Sequence, residues 1–268
     1  MFSKYDWRNF DSIILELHKA SNTEEFEVFV LQKLSKFVGA KFASFNIHNA
    51  EMYLERIVNT PGFDEQVNPL VPVLNRTLAT HPLFPFDSET NKVRVVDTVE
   101  RLRDHVTEVE LEQLPFYIEV CKKLGIKDQL IMHISISNGQ GVILTLHGHQ
   151  EFTPEQHMKA SIMRGHILAR HHTLQSRADD FKKKIRQVKA ALQSLMTNRE
   201  METMSLLCTG MSNSEISWEM KISEKTVDKY VSNVLQKLSI GSRTRVIAKY
   251  SGYFQQPPPL GNPTHSLD

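Results

Sequence analysis

The chain has 268 residues, 40% hydrophobic and 24% charged, which is ordinary globular usage and excludes a disordered polypeptide; no apolar run approaches the ~18–20 residues of a membrane span. Only two cysteines occur, Cys121 and Cys208, which excludes a disulfide framework and a Cys-rich metal cluster, and the start MFSKYDWRNF has no apolar leader, so a cytoplasmic protein is expected. The net charge of +1 hides an asymmetry, −6 over residues 1–152 against +6 over 177–250, so the chain reads as an acidic front module and a basic rear module facing a polyanion.

Trp7, Phe10, Ile13, Ile14 and Leu17 recur at helical spacing, and Asn22 with Glu25 forms a capping pair for a second helix. That helix carries Phe26, Phe29, Val30, Leu34 and Phe37 and stops at Gly39. KFASFNIH and EMYLERIV read as two strands around a turn at Asn49 and Ala50. Residues 64–80 are expected to be helical after an irregular start, because Pro69 and Pro72 forbid a clean first turn. A loop over His81–Asp87, a short strand at VRVVD and helical segments over 107–124 follow, ending at Gly125. QLIMHISI and GVILTLHGH form a second hairpin turned at Asn138–Gly141, completing an antiparallel sheet of about five strands.

At Thr153 a capping box with Gln156, and Pro154 at the first helical position, open a long helix with a break expected near Ser176–Asp180. Its second part sets Phe181, Ile185, Val188, Leu192 and Leu195 at spacings of 4, 3, 4 and 3, a heptad seam that suits either a neighbouring helix of the same chain or a dimer partner. Residues 195–250 then read as four short helices. Thr197 with Glu200 and Ser212 with Glu215 are capping boxes, Ser223 caps a third helix, and Gly241 and Ser242 precede a fourth. Val227, Val231, Val234, Leu235 and Leu238 gather on one side of the third helix, which turns Lys229, Asn233 and Gln236 away, flanked by Lys225, Thr226 and Ser232. This is the helix-turn-helix plan, and a helix of that width fits a major groove whose bases offer acceptors to Lys and mixed patterns to Asn. The helix starts at Thr197, Ser212 with Asn213, and Ser242 offer N–H groups to phosphates, and Lys237, Arg243 and Arg245 add positive charge. Glu200 is expected to cap and pair within the fold, Trp218 to pack beside the first helix of the motif, and Cys208 to be an inert core thiol.

LMTNRE, LLCTGMSNSEIS, ISEKTVDKYVSNVLQKL and GSRTRVIA, in this order and without gaps, resemble the LuxR-type (GerE-like) DNA-binding domain of bacterial regulators. Sigma-factor region 4 has a similar TxxE…TV pattern, but the KL…SRT ending resembles the LuxR type. The resemblance implies that helix 223–238 enters the major groove, with Asp228, Lys229 and Ser232 nearest the bases and Thr226, Lys237, Ser212 and Arg243 on the backbone, and that the fourth helix supports dimerisation. Asp228 and Tyr230 depart from the basic residue and the His often found there, so the base preference is left open.

The order of elements in the front module resembles a GAF- or PAS-like sensory domain, and HPLF (81–84) with FYIEVCKKLGIKDQL (116–130) resembles front domains of LuxR-type regulators. Paired antiparallel strands do not suit a phosphoacceptor receiver, although Asp97 follows VRVV, and Trp7 lies too early for an acyl-homoserine-lactone constellation. The expected fold is therefore two domains: an α+β, GAF/PAS-like antiparallel sheet with helices (1–152), a long linker or dimerisation helix (153–194) and an all-α tetrahelical helix-turn-helix domain (195–250), then a disordered tail (251–268). A pocket under the sheet is expected to use Phe45, Ile47, Tyr53, Phe84, Phe86, Phe116, Tyr117 and Ile134. His133, His147 and His149 share a strand face but are read as ordinary sheet residues rather than a metal site, and His171 and His172 as solvated. No phosphate-cradling glycine loop, GxSxG or HExxH occurs, so no catalytic residue, cofactor or metal is expected. Double-stranded DNA, a second copy of the chain and a small-molecule effector or protein partner are the expected partners. The alternatives are a protein-binding module merely tethered to DNA, with no small ligand, and an enzyme carrying a DNA-binding tail.

Overall fold

The computed structural model describes residues 4–49, 53–83, 86–87, 92–93, 96–137 and 140–254. The chain divides into two units, Met1–Arg177 and Ala178–Asp268. Among the described residues no helix is long and apolar enough to cross a membrane.

In the first unit, helices α1 (Lys4–Leu17) and α2 (Thr23–Val38) precede the sheet. Asn22 Oδ1 accepts from Glu25 N at 2.9 Å and so starts α2, while Gly39, at φ 77°, takes the left-handed conformation that closes it. The sheet contains β1 (Phe42–His48), β2 (Leu54–Asn59), β5 (Val99–Arg101), β6 (Asp128–Ser137) and β7 (Gln140–Gly148), all antiparallel, in the order β2-β1-β7-β6-β5. Strand alternation sorts the side chains. Ala43, Phe45, Leu130, Met132, Ile134, Leu144 and Leu146 face α1, α2 and the first half of the long helix α6 (Pro154–Leu195), which contributes Ala160, Met163, Ile167 and Leu174. Phe42, Ile131 and Ile143 face the other way, under a cover of short pieces: α3 (Asp64–Val67), α4 (Val71–Thr77), α5 (Glu108–Leu111) and a single π turn at Tyr117–Cys121. A sheet covered on both faces explains why its central strands read as nearly continuous apolar runs.

Three expectations are corrected here. Of VRVVD, Val93 lies outside the sheet and Val96 and Asp97 are in no strand, while Arg94 and Val95 lie outside the described residues. Phe86–Asp87 (β3) pairs with Lys92–Val93 (β4) as a separate two-stranded piece, and β5 lies just beyond, held by the fully buried Asp128, which accepts from Arg101 Nε at 2.7 Å and Phe152 N at 3.0 Å. The break expected at Ser176–Asp180 is also absent. Helix α6 runs through it, because SRADD contains neither Gly nor Pro to interrupt the backbone. His171 is buried against the Phe26 ring rather than solvated, whereas His172 is exposed.

The second unit packs the end of α6 with α7 (Asn198–Cys208), α8 (Asn213–Met220), α9 (Glu224–Lys237) and α10 (Arg243–Phe254). Its core is Leu192, Met196, Met204, Leu207, Cys208, Ile216, Met220, Val227, Val231, Val234 and Val246. Of the heptad seam, Leu192 is buried and Val188 packs against this core, while Phe181 and Leu195 are about half exposed. Helix α10 reaches Phe254, into the stretch expected to be disordered; the rest of that tail lies outside the described residues.

Candidate nucleic-acid interface and sheet-face cavity

Local chemistry sets the four helices of the second unit. Thr197 and Ser212 have extended backbones and form complete capping boxes with Glu200 and Glu215, and Ser223 caps α9 by accepting from Thr226 N at 3.2 Å. Between α8 and α9, Lys221 takes the left-handed conformation (φ 55°) that makes the tight turn of the motif. Val227, Val231 and Val234 anchor α9 from below, which leaves Lys225, Asp228, Lys229, Ser232 and Gln236 exposed along its opposite side.

The candidate DNA-contacting residues fall into three groups. Arg243 Nη1 donates to Asn213 Oδ1 at 2.6 Å, and Asn213 Nδ2 donates to Asp228 Oδ1 at 2.5 Å, so the starts of α10, α8 and α9 meet, with the α8 cap Ser212 adjacent. This answers what Asp228 does in the free protein: its carboxylate takes the Asn213 amide rather than Lys225 or Lys229. At the far end of α9, Asn233 Nδ2 and Lys237 Nζ donate to Glu200 at 3.0 and 2.6 Å. Together with the Thr197 amide at 2.8 Å they hold this buried carboxyl down to about pKa 2, with Lys237 the largest cause. Lys225, Lys229 and Ser232 form the third group, exposed and without a protein partner among the described residues. Thr226 is half-buried and its hydroxyl is shared with Ser223 at 2.8 Å. Trp218 is 82% exposed, not packed as expected, because it lies about 200° around α8 from both inward-facing residues, Ile216 and Met220. Burial raises the Cys208 thiol to about pKa 11, consistent with an unreactive core residue.

Residues 194–249 match the family described as "Bacterial regulatory proteins, luxR family". These residues form a LuxR-family helix-turn-helix domain. The LuxR-family domain is 42% identical over 55 residues to the "Transcriptional regulatory protein DegU" of Brevibacillus brevis, covering 20% of this chain and 23% of that protein. It is also 42% identical over 59 residues to the "Response regulator protein VraR" of Staphylococcus aureus, covering 22% of this chain and 28% of that protein. The chain therefore spans about a quarter of the length of these relatives. Among solved structures, "SdiA in complex with octanoyl-rac-glycerol" is similar at 12% identity and a TM-score of 0.45, over 94% of this chain and 97% of that one. The VqsR LBD domain from Pseudomonas aeruginosa is similar at 12% identity and a TM-score of 0.45, over 64% of this chain and 99% of that one.

In the first unit, a cavity of about 80 Å³ lies between the sheet and its cover of short helices. Its walls are apolar (Leu54, Ile57, Val67, Leu74, Phe116 and Val120 among others), and its floor on the sheet is polar, with Ser44, Asn46, Asn59, Gln129, Thr145 and His147. A hydrogen-bonded chain crosses the floor: Ser44 Oγ to His147 Nε2 (2.9 Å), His147 Nδ1 to Gln129 Nε2 (3.1 Å), and Gln129 Oε1 to His81 Nε2 (2.8 Å). Burial lowers His81 to about pKa 4, and burial with the neighbouring His81 lowers His147 to about 3, so both rings are neutral at pH 7.

Of the pocket residues expected from sequence, Phe116 lines this cavity and Tyr117 is buried in the layer behind it. Phe45, Ile47 and Ile134 are on the opposite sheet face against the helices, and Tyr53 is 58% exposed. Phe84 and the Phe86 side chain lie outside the described residues. Alternation identified which strand residues share a face but not which face holds the cavity. The polar floor was missed, although Ser44 and Asn46 stand between Phe42 and His48 in the strand and signal a face that is not simple core. His147 is occupied in the hydrogen-bonded chain, His133 lies 4.0 Å from Glu100, and His149 is beyond the end of β7.

Proposed function

We propose that this chain is a DNA-binding transcriptional regulator, with α9 lying in the major groove and the first unit receiving an effector. The observation that carries this reading is the exposed row Lys225, Lys229 and Ser232 on α9, opposite the buried Val227, Val231 and Val234, within the LuxR-family domain. Lys229, Ser232 and Asp228 would face the bases, with Lys225 beside them. Ser212, Asn213, Thr226, Asn233, Lys237 and Arg243 would lie along the sugar–phosphate backbone. A single small module binds duplex DNA weakly, so two copies on paired half-sites are part of the proposal. Lys182 and Lys184 flank the exposed start of the α6 seam at Phe181 with one sign of charge, which opposes self-pairing there and favours pairing assembled on DNA. The cavity favours a small-molecule effector over a front unit that only tethers a protein.

Lys229→Ala is expected to lower affinity for a site selected from random DNA by about 1–3 kcal/mol and to relax preference at one base position. Gel shifts with selected and scrambled duplexes measure both effects. A folded variant that binds as tightly and as selectively as the parent would remove α9 as the reading helix.

A further inference from the structure

The hydrogen positions along the chain from His81 to Ser44 follow from its hydrogen bonds. Leu83 N–H donates to His81 Nδ1 at 3.0 Å. A neutral ring that accepts at Nδ1 carries its hydrogen on Nε2, so His81 donates to Gln129 Oε1. This fixes the Gln129 amide, whose Nε2 must donate to His147 Nδ1; the His147 hydrogen is then on Nε2 and is donated to Ser44 Oγ. Asn46 Nδ2 donates to the same oxygen at 3.2 Å. The hydroxyl hydrogen of Ser44 therefore points away from His147, and with the Asn46 amide in this orientation it meets no acceptor among the described residues.

Directly across the β1–β2 pairing, Asn59 is in register with Ser44 and is only 4% exposed. Its Nδ2 donates to the Asp64 carboxylate at 3.0 Å, which fixes the amide the other way round, and its Oδ1 is buried with no hydrogen-bond partner among the described residues. Ser44 and Asn59 both line the cavity. Cross-strand neighbours have Cβ atoms about 4.5–5.5 Å apart, so a spare donor and a spare acceptor stand side by side at one end of an apolar space.

We propose that the cavity takes a small uncharged molecule with one hydroxyl on an apolar body, its oxygen accepting from Ser44 Oγ–H and its hydrogen donated to Asn59 Oδ1. The proposal rests on the reading of the first unit as the effector-receiving part and specifies the chemistry of that effector. A ketone or ether leaves Asn59 unmatched, because it can only accept. A carboxylate or an ammonium finds no Asp, Glu, Lys or Arg partner among the described lining residues, and His81 and His147 are neutral at pH 7. An engineered apolar cavity of about 150 Å³ holds benzene, so this one, at about 80 Å³, holds about three to five non-hydrogen atoms. At a ceiling of about −1.5 kcal/mol per non-hydrogen atom, a ligand of about five such atoms binds no tighter than a few micromolar, so titrations should run from micromolar to millimolar concentrations.

The test is ligand-detected NMR titration of the full chain with 1-butanol, 2-butanone, butyrate and butylamine. Saturable butanol binding is expected, with butanone about tenfold weaker and no saturable signal from the two ions. Leu74→Phe, which grows from the cavity wall into the space, should abolish binding, and Asn59→Leu should abolish the preference for butanol over butanone. The proposal is overturned if no neutral probe saturates, if either ion binds comparably, if butanol and butanone bind the parent equally, or if Leu74→Phe leaves binding intact. Operator affinity measured in the same samples keeps the two readings apart. Butanol binding that leaves DNA affinity unchanged overturns the effector role and leaves the cavity chemistry standing, whereas loss of the butanol preference with operator binding intact does the reverse.

Discussion

Lowering the pH from 6.5 to 4 is expected to unfold the first unit while the LuxR-family domain stays folded. Burial lowers His81 and His171 to about pKa 4 and His147 to about 3, and each returns to about 6.5 in the unfolded chain. Between pH 6.5 and 4 the unfolded chain binds protons at these sites that the folded unit refuses, so stability falls as pH falls, by about 1.4 kcal/mol per pH unit for each histidine. Three such groups remove about 4 kcal/mol per unit of pH, against a total stability of about 5–15 kcal/mol for a typical domain. The second unit has no comparable group, since the one histidine after residue 177 is His265. Its principal shifted group, Glu200, works in the same sense but in a lower pH window. With a folded pKa of about 2 against an ordinary 4.5, its contribution is complete above 4.5 and is lost only as pH falls toward 2. Amide hydrogen exchange at pH 7, 6, 5 and 4.5 would resolve the units separately, with protection lost first across β1, β6 and β7. Equal loss in both units, or full protection of the sheet at pH 4.5, would contradict this account. Replacing His171 with Phe, beside the Phe26 ring, should reduce the pH slope by about a third.

Glu200→Ala is expected to destabilise the second unit by about 2–4 kcal/mol. The residue is 3% exposed and accepts from three donors belonging to two helices: the Thr197 amide, Asn233 Nδ2 and Lys237 Nζ. Removing it opens the reciprocal half of the α7 capping box, since Thr197 Oγ1 still accepts from the residue-200 amide but the Thr197 N–H loses its acceptor, and it leaves Asn233 and Lys237 without theirs. Lys237 is 37% exposed and can turn to water, which keeps the effect below that of a fully enclosed pair. Glu200→Gln separates the terms: an amide still caps Thr197, but its NH₂ then confronts a donor from Asn233 or Lys237, so about half the loss should persist. Urea unfolding followed at the amides of α7 and α9 measures both. A loss under 1 kcal/mol for the alanine variant would show that packing around Val227 and Val234 holds these helices without the carboxylate.

Features that depend on neighbouring residues were legible in the sequence. The caps at Asn22, Thr153, Thr197, Ser212 and Ser223 all form, because a cap needs only a short polar side chain and the amide three residues on. The buried stripe of α9 follows in the same way from its 4-and-3 spacing. What escaped depends on tertiary partners. A three-residue strand such as β5 has too little pattern to announce itself, and Phe45 and Phe42 are equally apolar although they serve opposite faces of one sheet. Asp228 meets Asn213 across 15 residues, and Glu200 meets Lys237 across 37, distances over which spacing rules are silent. The cavity floor escaped for the same reason: Ser44, Asn59, His81, Gln129 and His147 converge only when five separate segments are brought together.

The contact between Glu200 and Lys237 has a consequence for ionic strength. Duplex DNA carries condensed cations that are released when a protein's positive groups neutralise its phosphates, and each such group steepens the dependence of log affinity on log salt by about 0.9. An ammonium already balanced by a carboxylate 2.6 Å away displaces little of that atmosphere. The steepness of the salt dependence should therefore count Arg243, whose partner Asn213 is neutral, and Lys225, and Lys237 should contribute to the grip of α9 on its own domain far more than to this count.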